Sequence, residues 1–95
     1  MGISLEITCV KKSSSKKAEE RILDIGGFFP DGKYFHFTAE ETIEHIEKNR
    51  YDFLVKNNGR IMLVYVAYSM HGKKYLKTES DWEMPLTLLK LPECP

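Results

Sequence analysis

Hydrophobic and polar residues alternate along the first part of the chain. Leu5, Ile7 and Cys9 lie on one side of residues 3–11, and polar side chains lie between them. This period of two residues is typical of a strand with one buried face. We therefore expect a first strand here, in the same sheet as the later strands, with a neighbour that the sequence does not specify.

A helical period follows the first strand. Ala18, Ile22 and Ile25 recur three to four residues apart, and they are followed by Gly26 and Gly27. Glycine readily adopts the left-handed backbone that ends many helices. The pattern predicts a first helix that stops at the two glycines.

The start of a second helix is the clearest local signal. Thr38 and Glu41 have the spacing of a capping box, in which each side chain bonds a backbone N–H at the helix start. The buried stripe of this helix is predicted to consist of Ala39, Ile43 and Ile46. The aromatic run at residues 34–37 fits either a short strand or an ordered loop.

Three later segments alternate as strands do. Residues 51–56 and 60–69 are separated by Asn57, Asn58 and Gly59, which tolerate the positive φ of a tight hairpin turn. A second turn leads into residues 73–79. The pattern predicts a three-stranded antiparallel meander.

The middle strand of this meander is apolar on both faces between residues 61 and 68, so both faces need cover from water. Two helices can cover one face, and the C-terminal tail or a second copy of the protein can cover the other. The tail leucines are Leu86, Leu88, Leu89 and Leu91. We therefore predict a single α+β domain over residues 1–95. Its antiparallel sheet combines the N-terminal strand with the three-stranded C-terminal meander and is packed with two short helices.

Charge does not direct the whole protein toward a partner. The 14 basic and 14 acidic side chains cancel, whereas a small nucleic-acid-binding domain is usually distinctly basic. Lysines nevertheless crowd near the start, at Lys11, Lys12, Lys16 and Lys17. The sequence has no basic leader followed by an apolar run, and no apolar stretch of about 20 residues. We expect a soluble cytoplasmic protein without a membrane partner.

The two cysteines give no sign of a metal or redox site. Cys9 and Cys94 lack the spacing of a CxxC motif. In a reducing compartment we expect two thiols, with Cys9 buried as a small apolar side chain. The ends of small domains often lie close together, which leaves an approach of the two cysteines open.

Other residues that could carry chemistry are scattered. The three histidines, His36, His45 and His71, have no spacing that links them to a cysteine, and we expect solvated side chains. The acidic loop with Glu79, Asp81 and Glu83 is also expected to be solvated, with cation binding or acid–base chemistry as the alternative. We predict no catalytic residue, no metal site and no cofactor.

Lysines and tyrosines of the meander suggest a binding surface. Lys73, Tyr75 and Lys77 fall on one side of the last strand, and Tyr68 and Arg60 join them if the meander aligns all five. Cations interleaved with aromatic rings can hold phosphates and stack bases. We favour the alternative, in which lysines on an edge strand prevent pairing with other sheets.

Four segments together resemble a known family. They are I-T-C-V-K-K at residues 7–12, K-Y-L-K-T at residues 74–78 with Asp81, the pair Leu88 and Leu89, and L-P-E-C at residues 91–94. The family consists of small prokaryotic domains of unknown function, and its pattern has Asp–Asn where this chain has Leu86 and Thr87. The resemblance covers nearly the whole chain, implies a single domain and assigns no functional residue.

A core is predicted, but the catalytic combinations are absent or scattered. We therefore expect a small non-enzymatic interaction module that binds an unknown protein partner or itself, as a homodimer. A weak nucleic-acid or polyanion binder that uses the lysines and tyrosines of the meander is the second hypothesis. A thiol-dependent or acid–base enzyme is the third.

Overall fold

The computed structural model describes residues 3–81 and 84–95, and its six strands form one sheet in the order β3-β2-β1-β4-β5-β6. The strands are β1 (Ile3–Lys12), β2 (Ile22–Phe28), β3 (Tyr34–Thr38), β4 (Tyr51–Asn57), β5 (Arg60–Tyr68) and β6 (Lys74–Thr78). The helices are α1 (Ala18–Arg21), α2 (Ala39–Glu47) and α3 (Leu86–Leu89). The architecture is a mixed sheet with three short helices.

The sheet corrects the predicted one in size and in direction. The prediction was an antiparallel sheet of the N-terminal strand and the meander, with the direction of the N-terminal strand left open, whereas β2 and β3 extend the sheet beyond β1. β1 and β4 are parallel, and the other neighbours are antiparallel. A parallel neighbour requires a crossover connection, and α2 lies on the path from β3 to β4.

The predicted first helix was wrong. α1 is a single turn, and the segment from Ile22 onward continues as β2 through both glycines. A side chain at Gly27 would collide with the backbone oxygen of Glu6 and with the ring of Phe35. One at Gly26 would collide with the Tyr34 hydroxyl and the Cys9 sulfur. Close approach inside the sheet, rather than a helix end, accounts for the two glycines.

The second helix and the hairpin follow the local signals. Thr38 Oγ1 accepts from Glu41 N at 3.0 Å, and Thr38 N donates to Glu41 Oε1 at 2.9 Å, so the capping box is confirmed. Asn58 and Gly59 form the two-residue turn between β4 and β5 with φ angles of 51° and 81°. The meander of β4, β5 and β6 is confirmed, and the aromatic run before α2 is strand β3.

The core lies on one face of the sheet. Leu5 pairs with Phe53 and Phe53 pairs with Val64, so their side chains share this face, and all three are buried. Helix α2 packs across the same region and contacts strands β2, β3, β4, β5 and β6. One face of the sheet is therefore well covered.

The opposite face of the meander corrects the prediction that both faces are covered. Ile61, Leu63 and Tyr65 remain 63%, 55% and 37% exposed. The predicted cover by the tail does not reach them, because the tail lies against β1. Its helix α3 buries Leu88, while Leu86 stays exposed.

The tail is fixed to β1 by backbone bonds and a disulfide, which overturns the prediction of two thiols. Val10 N donates to Pro92 O at 3.0 Å, and Cys94 N donates to Val10 O at 3.1 Å. Cys9 and Cys94 are joined, with their Cα atoms 4.8 Å apart, and both are buried. The bond closes a segment of 85 residues.

Candidate functional site

The open face of the meander is defined by Leu54, Ile61, Leu63 and Tyr65. Leu54 of β4 lies directly opposite Leu63 of β5. Ile61 and Tyr65 lie two residues to either side of Leu63, so all four side chains point away from the core. Leu54 is half-buried, and the other three are exposed. A continuous apolar strip thus crosses two neighbouring strands.

Charged side chains border the open face. Glu6 pairs across the sheet with Leu54, and its Oε1 lies 3.7 Å from Nζ of Lys56. On the other side, Nζ of Lys77 lies 5.7 Å from the centre of the Tyr65 ring, which is a cation–π distance. The border therefore carries both signs of charge around an apolar centre.

A second surface is a groove beside β6. The loop before α1 lies against the turn between β5 and β6, and the cavity between them has a volume of about 490 Å³. Its polar and aromatic lining consists of Lys16, Lys17, Glu19, Tyr68, Ser69, His71, Tyr75 and Lys77. We call this cavity the lysine groove.

Serine side chains order both walls of the lysine groove. In the loop before α1, Ser15 Oγ accepts from Lys17 N at 3.1 Å and donates to Glu20 Oε1 at 2.8 Å. In the turn after β5, Ser69 Oγ accepts from His71 N at 3.2 Å. Such side-chain bonds to nearby backbone groups fix turn geometry. The lysines are thus carried by defined turns.

Three of the five residues that the sequence suggested for binding line this groove. They are Tyr68, Tyr75 and Lys77. Tyr75 is almost fully buried and contributes only part of the wall, whereas Tyr68 is 66% exposed. The alternation of side chains along β6 therefore places Tyr75 and Lys77 at the groove, next to Tyr68 at the end of β5.

The other two suggested residues lie elsewhere. Lys73 borders a neighbouring cavity of about 470 Å³ between α1, α2 and β6, with Tyr75 between the two cavities. Arg60 begins β5 and Tyr68 ends it, so the eight steps between them span about 26 Å at about 3.3 Å per residue. Arg60 is not part of the groove.

Sequence reasoning missed Lys16, Lys17 and His71 as members of this surface. The crowding of lysines near the chain start was visible, but nothing in the sequence linked them to β6, more than 50 residues later. The link is the packing of the single-turn helix α1 against β6.

Glu19 is the acidic side chain of the lysine groove. A backbone hydrogen bond is the main cause that lowers its pKa, and Ser69, His71 and Lys17 lower it further, while burial acts in the opposite direction. Its Oε2 is shielded from solvent and has no hydrogen-bond partner among the described residues. Glu19 thus stays ionised next to the groove's cations.

The disulfide lies on the face opposite the core, next to several polar side chains. The hydroxyl of Tyr34 lies 3.6 Å from Cys9 Sγ. Nearby on β2 and β3, Asp24 Oδ2 lies 2.9 Å from His36 Nε2. Because both sulfur atoms are in the disulfide, neither is a thiol nucleophile for the enzyme hypothesis in this state.

The acidic loop after β6 has a structural role at Asp81. This buried carboxylate accepts from N and Oγ1 of Thr78 at 3.0 and 3.2 Å, and from N and Oγ1 of Thr87 at 3.1 and 2.9 Å. The bonds tie the end of β6 to α3. Glu79 is exposed, and Glu83 lies outside the described residues.

The histidines occupy three different settings. His45 packs between the rings of Phe37 and Tyr51, at centroid distances of 4.6 and 4.9 Å. Burial and the neighbouring Arg50 lower the pKa of His45. His36 pairs with an aspartate, and His71 lies in the turn at the groove. Within residues 3–81 and 84–95, no three His, Cys, Asp or Glu side chains converge to hold a metal ion.

Comparison with known proteins yields a single family. A model for a family described as protein of unknown function (DUF3892) matches residues 6–92. No curated protein and no solved structure matches the chain. Within the described part of the chain, every helix is too short or too polar to cross a membrane.

Proposed function

Because the chain belongs to the DUF3892 family, whose function is unknown, we propose a function from the geometry of the molecule. The protein is a non-enzymatic interaction module that associates with a second copy of itself through the open face of the meander. The observation that carries the proposal is the exposed strip of Ile61, Leu63 and Tyr65 on a strand whose other face is buried.

The size of the open face supports a weak, reversible dimer. These three side chains expose roughly 300 Å², the size at which an exposed apolar patch is often functional. Two copies would remove roughly 600 Å² from water, a gain of about 15 kcal/mol at about 25 cal/mol per Å². Association costs about 4–15 kcal/mol. The surplus is small, which favours a dissociation constant in the micromolar range.

A second copy fits this face better than a strongly charged partner does. The chain has a formal net charge of zero, so two copies do not repel each other over long distances. Glu6 and Lys56 lie at the border with opposite charges, and a two-fold axis can place each near its opposite in the other copy. Two sheets that pack face to face in this way form a sandwich.

The test is the solution mass as a function of concentration. In sedimentation or light-scattering measurements between about 1 and 500 µM, we expect the mass to rise from the 11.0 kDa of one chain toward twice that value. Leu63→Lys places two like charges in the interface and should raise the dissociation constant at least tenfold, or about 1.4 kcal/mol. The matched control is Leu23→Lys, because Leu23 is 49% exposed on β2, outside the open face.

Two results would contradict the proposal. One is a wild-type protein that stays monomeric over the whole concentration range. The other is an equal loss of association in the two variants, which would mean that any added charge prevents it.

A further inference from the structure

We propose that the lysine groove binds a nucleotide unit, with the phosphate held by Lys16 and Lys17 and the base stacked on Tyr68. The groove lies beside β6 and the open face is centred on β4 and β5. The two surfaces meet at Lys77, which lines the groove and lies over the Tyr65 ring. The chemistry recognised is an aromatic base joined to a phosphate. It is supplied either by a free nucleotide or by one unit of a single strand.

The dimensions of the groove suit such a ligand. Its volume of about 490 Å³ lies within the roughly 300–1,000 Å³ of small-molecule sites. The serine turns at Ser15 and Ser69 hold its two walls. Because these turns are already formed, ligand binding does not have to order the lysine-bearing loop, which lowers the entropic cost of association.

The charges in the groove favour an anion. Among the described residues that line it, three are lysines and one, Glu19, is acidic, with His71 as a further hydrogen-bond donor or acceptor. Lys77 is engaged with the ring of Tyr65, so Lys16 and Lys17 are assigned to the phosphate. In a chain with zero net charge, the described lining of the groove thus carries a local excess of positive charge.

The aromatic side of the groove favours a base. Tyr68 is 66% exposed, and Met70 beside it is almost fully exposed. A tyrosine ring stacks with any base, because every base has a π-face, and a methionine adapts to a flat partner. An inorganic anion would contact the lysines but not the ring of Tyr68. The combination therefore selects a base-bearing phosphate.

The experiment is an NMR titration at about 50 mM salt with four probes. They are adenosine 5′-monophosphate, hexauridylate, adenosine and inorganic phosphate. We expect the backbone signals of Lys17, His71 and Tyr75 to shift with the first two probes and to respond much less to the last two. Monophosphate binding identifies a free nucleotide as sufficient, and binding of hexauridylate alone identifies a single strand as the source.

Variants distinguish binding in the groove from a general attraction of anions to surface lysines. Lys16→Ala/Lys17→Ala should weaken binding at least tenfold, since the variant removes both charge-assisted bonds to the phosphate. The matched control is Lys33→Ala/Lys90→Ala, which removes the same charge from exposed positions outside the groove. Tyr68→Ala should weaken both nucleotide probes while leaving the weak response to inorganic phosphate unchanged. Raising salt fourfold should weaken hexauridylate binding about sevenfold, as expected for two phosphates on a single strand.

Three results would overturn the proposal. The first is no shift in the groove with either nucleotide probe at about 5 mM. The second is equal weakening by the groove variant and the control variant. The third is inorganic phosphate that binds as tightly as adenosine 5′-monophosphate, because the base would then contribute nothing. Each variant's far-ultraviolet circular dichroism is recorded to verify that its fold is intact.

Discussion

Removal of the disulfide between Cys9 and Cys94 should cost this domain a large part of its stability. A cross-link stabilises mainly by restricting the unfolded chain, and the restriction grows with the length of the closed segment. The segment here has 85 residues, for which the chain-entropy relation gives about 4–5 kcal/mol at 25 °C. Small domains have about 5–15 kcal/mol in total, so the reduced protein should be only marginally stable.

The folded state itself should survive reduction at low temperature. The backbone bonds of Val10 to Pro92 and Cys94 do not depend on the sulfur atoms, and the tail can remain beside β1. Urea denaturation of oxidised and reduced protein, followed by circular dichroism, measures the difference as a shift of the midpoint. Cys9→Ala/Cys94→Ala should match the reduced protein, and a reducing agent should leave this variant unchanged.

Two observations would refute the reasoning. One is a free-energy difference below about 0.5 kcal/mol between oxidised and reduced protein, which is the size of an ordinary surface change. The other is full alkylation of both cysteines in unreduced protein unfolded in urea. The same alkylation measured on protein taken directly from cells would test the cytoplasmic location, which stays a prediction, because structural disulfides are rare in reducing compartments.

Two further predictions concern stability. Asp81→Ala removes four hydrogen bonds to a buried carboxylate. It should lower the free energy of unfolding, measured by urea denaturation, by about 3 kcal/mol, since the threonine donors lose a charged partner. The control is Glu79→Ala, at an exposed position nearby, and equal small effects of the two changes would contradict the role of Asp81. His45 has a pKa below its usual 6.5 in the folded protein, so the unfolded chain binds the proton more readily, and His45 should lower stability as the pH falls through 6.5. His45→Phe should therefore lose less stability than wild type between pH 7.5 and 5.5, and parallel pH profiles would contradict this reasoning.

Local signals predicted the parts of the fold that local chemistry decides. The capping box at Thr38 and Glu41 needs only three residues of separation, and the turn at Asn58 and Gly59 needs two adjacent residues that accept positive φ. Both were read correctly from the sequence. The antiparallel pairing of β4 with β5 follows from the same turn, because a two-residue loop brings the two flanking strands side by side.

Long-range pairing explains what the sequence did not reveal. The helical spacing of Ala18, Ile22 and Ile25 is real, but the sheet takes Ile22 and Ile25 into β2, where both are buried. Tertiary pairing overrides local preference in such short segments. The parallel pairing of β1 with β4 and the meeting of Cys9 with Cys94 depend on the path of the whole chain, which no local pattern encodes.

In the candidate surfaces too, local patterns were read from the sequence and long-range contacts were not. Alternation along β6 indicated Tyr75 and Lys77 as neighbours on one face, and both border the lysine groove. Arg60 was grouped with them because it belongs to the same meander, although strand length places it at the far end of β5. Lys16 and Lys17 reach the groove only because α1 packs on β6.

The exposed strip on the meander follows from where the other elements of the described chain pack. A sheet buries its apolar side chains by packing against another layer, and the three helices of the described chain supply one such layer, with α2 as its only long member. The tail packs Leu88 into the core. Its disulfide lies on the other side near β1 and β2, where a side chain at Gly26 would collide with the Tyr34 hydroxyl and the Cys9 sulfur. On that side, the described residues leave Ile61, Leu63 and Tyr65 of β5 exposed. A strand such as β5, apolar on both faces, is stable under these conditions when another molecule supplies the missing layer, and this is the physical reason to place the interaction there.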